Sequence, residues 1–97
     1  MSEPRYFNKQ GKPITLSRWV ELFEDPAYKI IKRDETPNGV VSTIWLGLDH
    51  SFEESGKPLI FETMIFESDE YPDFQKRYST LEEAIKGHEE ALMILKR

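Results

Sequence analysis

The sequence predicts a single α+β domain over 1–97, in which an antiparallel meander sheet of three to four strands is followed by a C-terminal helix. Two long apolar runs between positions 40 and 67 flank a polar loop, a pattern that is typical of neighbouring strands. A Thr-Pro-Asn-Gly turn signal stands directly before the first of these runs. The last segment of the chain repeats its apolar residues at helical spacing.

The N-terminal elements are predicted to be a short hairpin and a short helix. The segment 6–14 reads as a hairpin, because Asn-Lys-Gln-Gly supplies turn residues between two short apolar pairs. Ser17 is the predicted N-cap of a helix over about 17–24. That helix is predicted to end at Asp25, because the residue before a proline is pushed out of the α region.

The sheet is predicted to have strands at about 28–34, 40–48 and 59–67, with a short fourth strand at about 74–78. Both faces of the second and third strands are apolar, whereas an antiparallel strand with one solvated face alternates more cleanly. We therefore expect both faces to be covered. The C-terminal helix would cover one face and the N-terminal elements part of the other, leaving the remainder for a partner or a second copy.

The C-terminal helix is predicted over about 80–95, with Ser79 or Thr80 as its cap. Its predicted apolar stripe consists of Leu81, Ile85, Leu92 and Leu95. His88 lies on this stripe, and we expect it at the edge of the core with one ring nitrogen hydrogen-bonded.

Composition excludes several classes of function. The chain has no cysteine, which excludes disulfides, thiol nucleophiles and zinc–thiolate sites. The net charge of −5 disfavours capture of nucleic acid or of an anionic membrane by charge. No apolar run approaches the length of a membrane span, and no apolar segment near position 1 predicts a signal peptide. We therefore expect a cytoplasmic protein without a membrane partner and without a cofactor.

One constellation could carry chemistry, and it consists of Asp49, His50 and Glu62. An imidazole with two carboxylates suits a hard metal ion or a general base. The alternative is structural: Asp49 would bind loop amides, His50 would be solvated, and Glu62 would pair with a basic residue of a neighbouring strand. A lone histidine with one adjacent acid falls short of the ligand count of a metal site, so no catalytic or metal-binding residue is assigned.

Four segments of the sequence carry a resemblance to known proteins: WVELFEDPAYKII, VSTIWLGLDHSF, PLIFETMIF and RYSTLEEAIKGHEE. Together they resemble a family of small uncharacterised phage and prophage proteins. The family's N-terminal Tyr-Phe–turn–Gly-x-Pro-Ile segment and its Gly-His-Glu helix correspond here to 6–14 and 87–89. The resemblance implies a phage-derived gene that acts in a bacterial cytoplasm, and it brings no catalytic or binding residue with it.

Three functional hypotheses follow. The first is a non-enzymatic interaction module that works through a sheet face, the loop over 49–58, or both. It would be a phage accessory protein that binds a host or phage protein or a second copy of itself. Its candidate contact residues are Trp45, Phe52, Met64, Phe66 and Tyr71. The second is a small metal-dependent or acid/base enzyme that uses Asp49, His50 and Glu62. The third, which the acidic charge disfavours, is a nucleic-acid-binding protein. The missing catalytic motifs favour the first hypothesis over the second.

Overall fold

The computed structural model describes residues 6–49, 57–67 and 74–95. Its elements in chain order are β1 (Tyr6–Phe7), β2 (Pro13–Ile14), α1 (Leu16–Phe23), α2 (Pro26–Lys29), β3 (Ile30–Thr36), β4 (Gly39–Trp45), β5 (Phe61–Phe66), β6 (Phe74–Tyr78) and α3 (Leu81–Leu95). The fold is α+β, as predicted. A four-stranded antiparallel sheet has the order β3-β4-β5-β6, and β1 and β2 form a separate hairpin. None of the helices in this part of the chain is long and apolar enough to cross a bilayer.

The Thr-Pro-Asn-Gly turn joins β3 to β4, as predicted. Thr36 and Gly39 are the last paired residues of this hairpin. The first strand starts later than predicted. Asp25 caps a single helical turn, and its side chain accepts a hydrogen bond from the Ala27 amide at 3.0 Å. Tyr28 therefore belongs to α2 and not to a strand. A proline at the first helical position stabilises such a turn, since its φ already suits a helix.

Helix α1 begins at Leu16, slightly earlier than the sequence predicted. Thr15, and not Ser17, is its N-cap, with an extended backbone and a side chain that accepts from the Arg18 amide at 3.1 Å. Ser17 lies inside the first turn, so its prediction as the cap was wrong. The helix ends at Phe23, just before the Asp25-Pro26 step, as predicted.

Helix α3 is capped by Thr80, one of the two predicted residues. The Thr80 hydroxyl accepts from the Glu83 amide, and the Glu83 carboxylate accepts from the Thr80 amide, both at 3.1 Å. This reciprocal capping box satisfies two helix-terminal amides. The face that α3 buries consists mainly of small residues and leucines: Ala84, Gly87, His88, Ala91, Leu92 and Leu95. Ile85, placed in the apolar stripe by the sequence, is instead 45% exposed.

Gly87 allows α3 to lie close to the sheet. A Cβ atom at this position would lie 2.1 Å from the Tyr78 hydroxyl and 2.2 Å from the ring carbon that carries it. Any larger residue would therefore force the Tyr78 ring or the helix to move.

The core has two apolar parts, one shared by the N-terminal elements, the sheet and the start of α3, and the other formed by the sheet and the end of α3. One part surrounds Trp45 and Phe61, and the other surrounds Val41 and Ile65. Thr43 and Thr63, which pair across β4 and β5, form the row between them. Both threonines and His88 are completely buried, so a polar layer crosses the core.

An aromatic cluster fixes the N-terminal elements to the end of the sheet. Trp19 stacks on Phe23 with ring centroids 4.8 Å apart, and Tyr28 meets Trp45 edge-on at 4.9 Å. Gly47 has a φ of +70°, and a Cβ there would lie 2.3 Å from the Trp45 ring. Phe23 of α1 and Pro26 of α2 also border residues on the outer face of β4 and β5, which positions the candidate site.

Candidate functional site

The sheet has one covered and one open face. Along the covered face, β4 and β5 alternate six buried residues: Val41, Thr43, Trp45, Phe61, Thr63 and Ile65. Most residues that point the other way are half-buried: Val40, Ser42, Ile44, Met64 and Phe66. Both faces of β4 and β5 are apolar, as the sequence indicated, but α3 covers only one of them. Part of the other face is therefore open to solvent.

A groove of about 430 Å³ runs over this open face. Its apolar floor includes Ile44, Met64 and Phe66. Phe23 and Pro26 form one wall, because α1 ends and α2 begins there. The position of this wall follows from the Asp25-Pro26 step, which ends the first helix and turns the chain towards β3.

Two cationic side chains, Lys29 and Arg33, also line the groove. The Lys29 ammonium lies 3.8 Å from the centroid of the Phe23 ring, a cation–π contact. The Arg33 guanidinium lies 3.5 Å from the Glu35 carboxylate, and the two side chains are 52% and 75% exposed. Ion pairs at such exposure are weak, so both cations are open to a further carboxylate.

Glu62 points towards the same face and is nevertheless buried, with 6% of its side chain exposed. Its Oε2 accepts hydrogen bonds from Gln75 Nε2 at 2.8 Å and from Arg77 Nε at 2.9 Å. Arg77 stands directly opposite Glu62 on β6. The carboxylate thus takes part in a cross-strand ion pair, which matches the structural alternative considered for it.

Asp49 has a separate structural environment. Its Oδ1 accepts a hydrogen bond from the Leu59 amide at 3.3 Å and so ties the two ends of the loop together. Three residues of extended chain, roughly 10 Å, separate Leu59 from Glu62. The hydrogen bonds seen for Asp49 and Glu62 thus go to different partners, and His50 lies outside the described residues. Within 6–49, 57–67 and 74–95, no three His, Asp or Glu residues are grouped to hold a metal ion.

The predicted contact residues divide into three groups. Met64 and Phe66 line the groove, where a partner could reach them. Trp45 is completely buried and donates its indole N–H to the Phe7 carbonyl at 3.0 Å. Its prediction as a contact residue is therefore corrected, because no partner can touch it in this fold. Phe52 and Tyr71 lie outside the described residues.

A buried hydrogen-bond network was not predicted. His88 Nδ1 lies 2.7 Å from the Thr43 hydroxyl, and Nε2 lies 2.7 Å from the Asp34 carboxylate. The Thr43 and Thr63 hydroxyl oxygens are 2.6 Å apart. The prediction that His88 sits at the core edge with one bonded nitrogen was wrong, because its exposure is zero and both nitrogens are bonded. The alternation of β4 and β5 puts both threonines on the same faces as the apolar Val41 and Ile65, which is the sequence signal that could have revealed the network.

The order hydroxyl, imidazole, carboxylate is that of a hydrolytic triad. The nucleophile of such a triad must reach a substrate carbonyl, whereas Thr43 and His88 have no exposed surface. The network therefore has no access to a substrate in this conformation. Its role is to satisfy buried polar groups between the two apolar parts of the core.

The outer end of the network is an ion-pair cluster on the surface. Lys32 Nζ donates to Glu89 Oε1 at 2.8 Å and lies 4.0 Å from Asp34 Oδ2. The hydrogen bond between Lys32 and Glu89 raises the pKa of Lys32 and lowers the pKa of Glu89.

The groove on the open face combines an apolar floor with two cations, and the described residues that line it include no histidine and no carboxylate. Such a lining offers apolar contact area and positive charge. Its chemistry therefore suits binding. The chain matches no protein-family model, no curated protein and no solved structure.

Proposed function

We propose that this protein is a non-enzymatic interaction module that binds another protein through the groove on the open sheet face. The observation that carries the proposal is the apolar floor of Ile44, Met64 and Phe66, which lies half-buried in the middle of the sheet. Sheet faces of this kind are normally packed against another element. Contiguous apolar surface that stays open marks interaction sites in monomeric proteins.

The expected affinity is modest. Completing the burial of three half-exposed apolar side chains contributes on the order of 1 kcal/mol each. Micromolar binding needs about 8 kcal/mol, so the floor alone does not supply it. Polar contacts at the rim have to contribute as well. A transient partner fits this surface better than an obligate one, since obligate interfaces are larger and more apolar.

The biological setting is a proposal that rests on the sequence resemblance alone. In that setting the protein is a phage-derived accessory factor, and its partner is a host or phage protein in a bacterial cytoplasm. The apolar floor supports a protein partner over nucleic acid, because nucleic-acid sites are dominated by phosphate contacts from many cations.

Site-specific photo-crosslinking in bacterial cells tests the proposed function. A benzophenone amino acid replaces Met64 in the groove or, as a control, Met93, which is 71% exposed on α3. We expect a discrete adduct with another polypeptide from position 64 and none of the same mass from position 93. Identical adducts at both positions, or none at position 64, would contradict a binding role for the groove.

A further inference from the structure

We infer that the occupant of the groove is an acidic amphipathic helix of the partner protein. This inference rests on the proposed function and adds the chemistry and shape of the partner segment. The geometry of the floor, the way the opposite face is covered, and the charges at the rim support it separately.

The floor has the length of a short helical segment. Ile44 lies at one end, and Phe66, which pairs with Val40, lies at the other. Four residues of β4 separate these two levels, or about 13 Å. Two turns of an α-helix rise about 11 Å, so a helix laid along the strands would place two or three apolar side chains on the floor.

The opposite face shows that this sheet accepts a helix. Helix α3 lies across β4 and β5 and buries its small residues and leucines there. A second helix on the open face would complete a three-layer α/β/α arrangement, in which both faces of the sheet are buried. A strand of a partner would add to an edge of the sheet, whereas the apolar floor lies at its centre.

The charges that line the groove indicate which residues should flank the apolar stripe of the partner helix. The chain carries a net charge of −5, yet both charged residues that line the described part of the groove are cations. No carboxylate in the described part of the chain pairs with Lys29, whose contact is the Phe23 ring. Arg33 presents a planar fork that suits bidentate binding of a carboxylate. A partner with Asp or Glu beside its apolar stripe would neutralise both cations.

The same charges disfavour other occupants. A second copy that docked through the same groove would bring its own Lys29 and Arg33 towards these two cations, and like charges would oppose that contact. A basic helix would meet Lys29 and Arg33 directly, and like charges in contact disfavour binding.

Selection from a displayed peptide library tests the inference. The library consists of 16-residue helical peptides with Leu, Ile or Phe at positions spaced i, i+3, i+4 and i+7, and with randomised flanks. We expect wild-type protein to enrich peptides with Asp and Glu in the flanks. The variant Lys29→Glu/Arg33→Glu should bind those peptides at least tenfold more weakly and should enrich Lys and Arg instead.

The controls separate the two proposals. Lys12→Glu/Lys86→Glu makes the same change in net charge at exposed positions outside the groove and should leave the acidic bias unchanged. Met64→Glu/Phe66→Glu, shown by circular dichroism to be folded, should abolish binding of the selected peptides. Enrichment that depends on Met64 and Phe66 but shows no acidic bias would overturn the inference and leave the proposed function standing.

Two further results would also contradict the inference. Enriched peptides that bind the Met64→Glu/Phe66→Glu variant as well as wild type, or no enrichment above a sample without protein, would count against both proposals. A dimer in light scattering, with concentration-dependent amide shifts at Ile44 and Met64, would assign the groove to a second copy and overturn the helix.

Discussion

The imidazole of His88 and the hydroxyl of Thr43 meet at 2.7 Å between the two apolar parts of the core. With the proton on Nε2, His88 donates to Asp34, and Nδ1 accepts from Thr43. The Thr43 oxygen can then accept from Thr63. One arrangement of protons thus satisfies all the buried side-chain polar atoms of these three residues, and it links β3, β4, β5 and α3.

Removing one member of this network should lower the free energy of unfolding more than replacing all its buried members by apolar residues. We expect His88→Ala to lower the free energy of unfolding by about 3 kcal/mol, because it leaves a cavity and breaks two hydrogen bonds. The triple variant Thr43→Val/Thr63→Val/His88→Leu should be clearly less destabilised, since every buried member becomes apolar together. Urea unfolding followed by tryptophan fluorescence measures both. A triple variant less stable than His88→Ala would show that the polar layer itself stabilises the fold.

Gly87 and Tyr78 should be strongly coupled. Gly87→Ala should destabilise the protein by about 2 kcal/mol, because the new methyl group collides with the Tyr78 ring. In a Tyr78→Ala background the same change should stabilise by up to about 1 kcal/mol, through the better helix propensity of alanine. Thermal unfolding of the four proteins completes the double-mutant cycle. Equal effects in both backgrounds would rule out the contact as the cause.

The pair of Glu62 and Arg77 joins a buried carboxylate to a half-exposed guanidinium. Arg77→Leu should cost about 2 kcal/mol, because the Glu62 carboxylate stays buried with its hydrogen bond from Gln75 but loses its cation. Glu62→Leu/Arg77→Leu should recover most of this loss, since no buried charge is left without its cation. Lys76→Leu, an exposed change on the same strand, is the control and should have little effect. An Arg77→Leu variant as stable as the control would contradict this structural role of the pair.

The pair of Glu89 and Lys32 predicts how stability depends on pH. The hydrogen bond from Lys32 lowers the pKa of Glu89 below the ordinary value of 4.5. The stabilisation is therefore fully present above pH 4.5 and is lost as the pH falls through the lower pKa of the folded state. On the alkaline side, Lys32 loses its proton only as the pH rises through its raised pKa, above 10.5. The stabilisation by the pair therefore persists up to that pH. Because both side chains are exposed, the effect should be small and should weaken with salt.

Glu89→Gln tests this dependence. The difference between its urea midpoint and that of wild type should shrink as the pH is lowered from 6 to about 3. Glu90→Gln removes a neighbouring charge for which the described part of the chain shows no ion pair, and its difference should stay nearly constant. A constant difference for Glu89→Gln as well would show that the hydrogen bond does not persist in solution.

Local signals in the sequence account for most of the fold. The Thr-Pro-Asn-Gly turn, the alternation of β4 and β5 and the spacing of α3 all produced the elements that they predict. Helix α2 was missed because it has only four residues and Tyr28 favours a strand. The Asp25-Pro26 pair was interpreted as the end of one helix, although the same pair, as N-cap and first helical residue, also begins another.

The candidate site was predictable only in part. The two apolar faces of β4 and β5 indicated that an open surface could exist, and Met64 and Phe66, two of the predicted contact residues, line the groove. Which face stays open depends on where α3 docks, and the extent of the opening depends on where α1 and α2 pack; both follow from contacts between residues distant in sequence. Trp45 shows the limit of local pattern, because its large aromatic side chain suits an interface and a core equally well.

The position of α3 after the whole sheet in the chain has a consequence for folding. Thr43 and His88 are separated by 45 residues, so the polar layer closes only through a contact of long range. The four strands can pair beforehand, but both faces of the sheet then expose apolar side chains to water. Docking of α3 is consequently expected to be the late step that limits the folding rate. A chain whose α3 has not docked exposes more apolar surface than the native protein, and such surface favours aggregation.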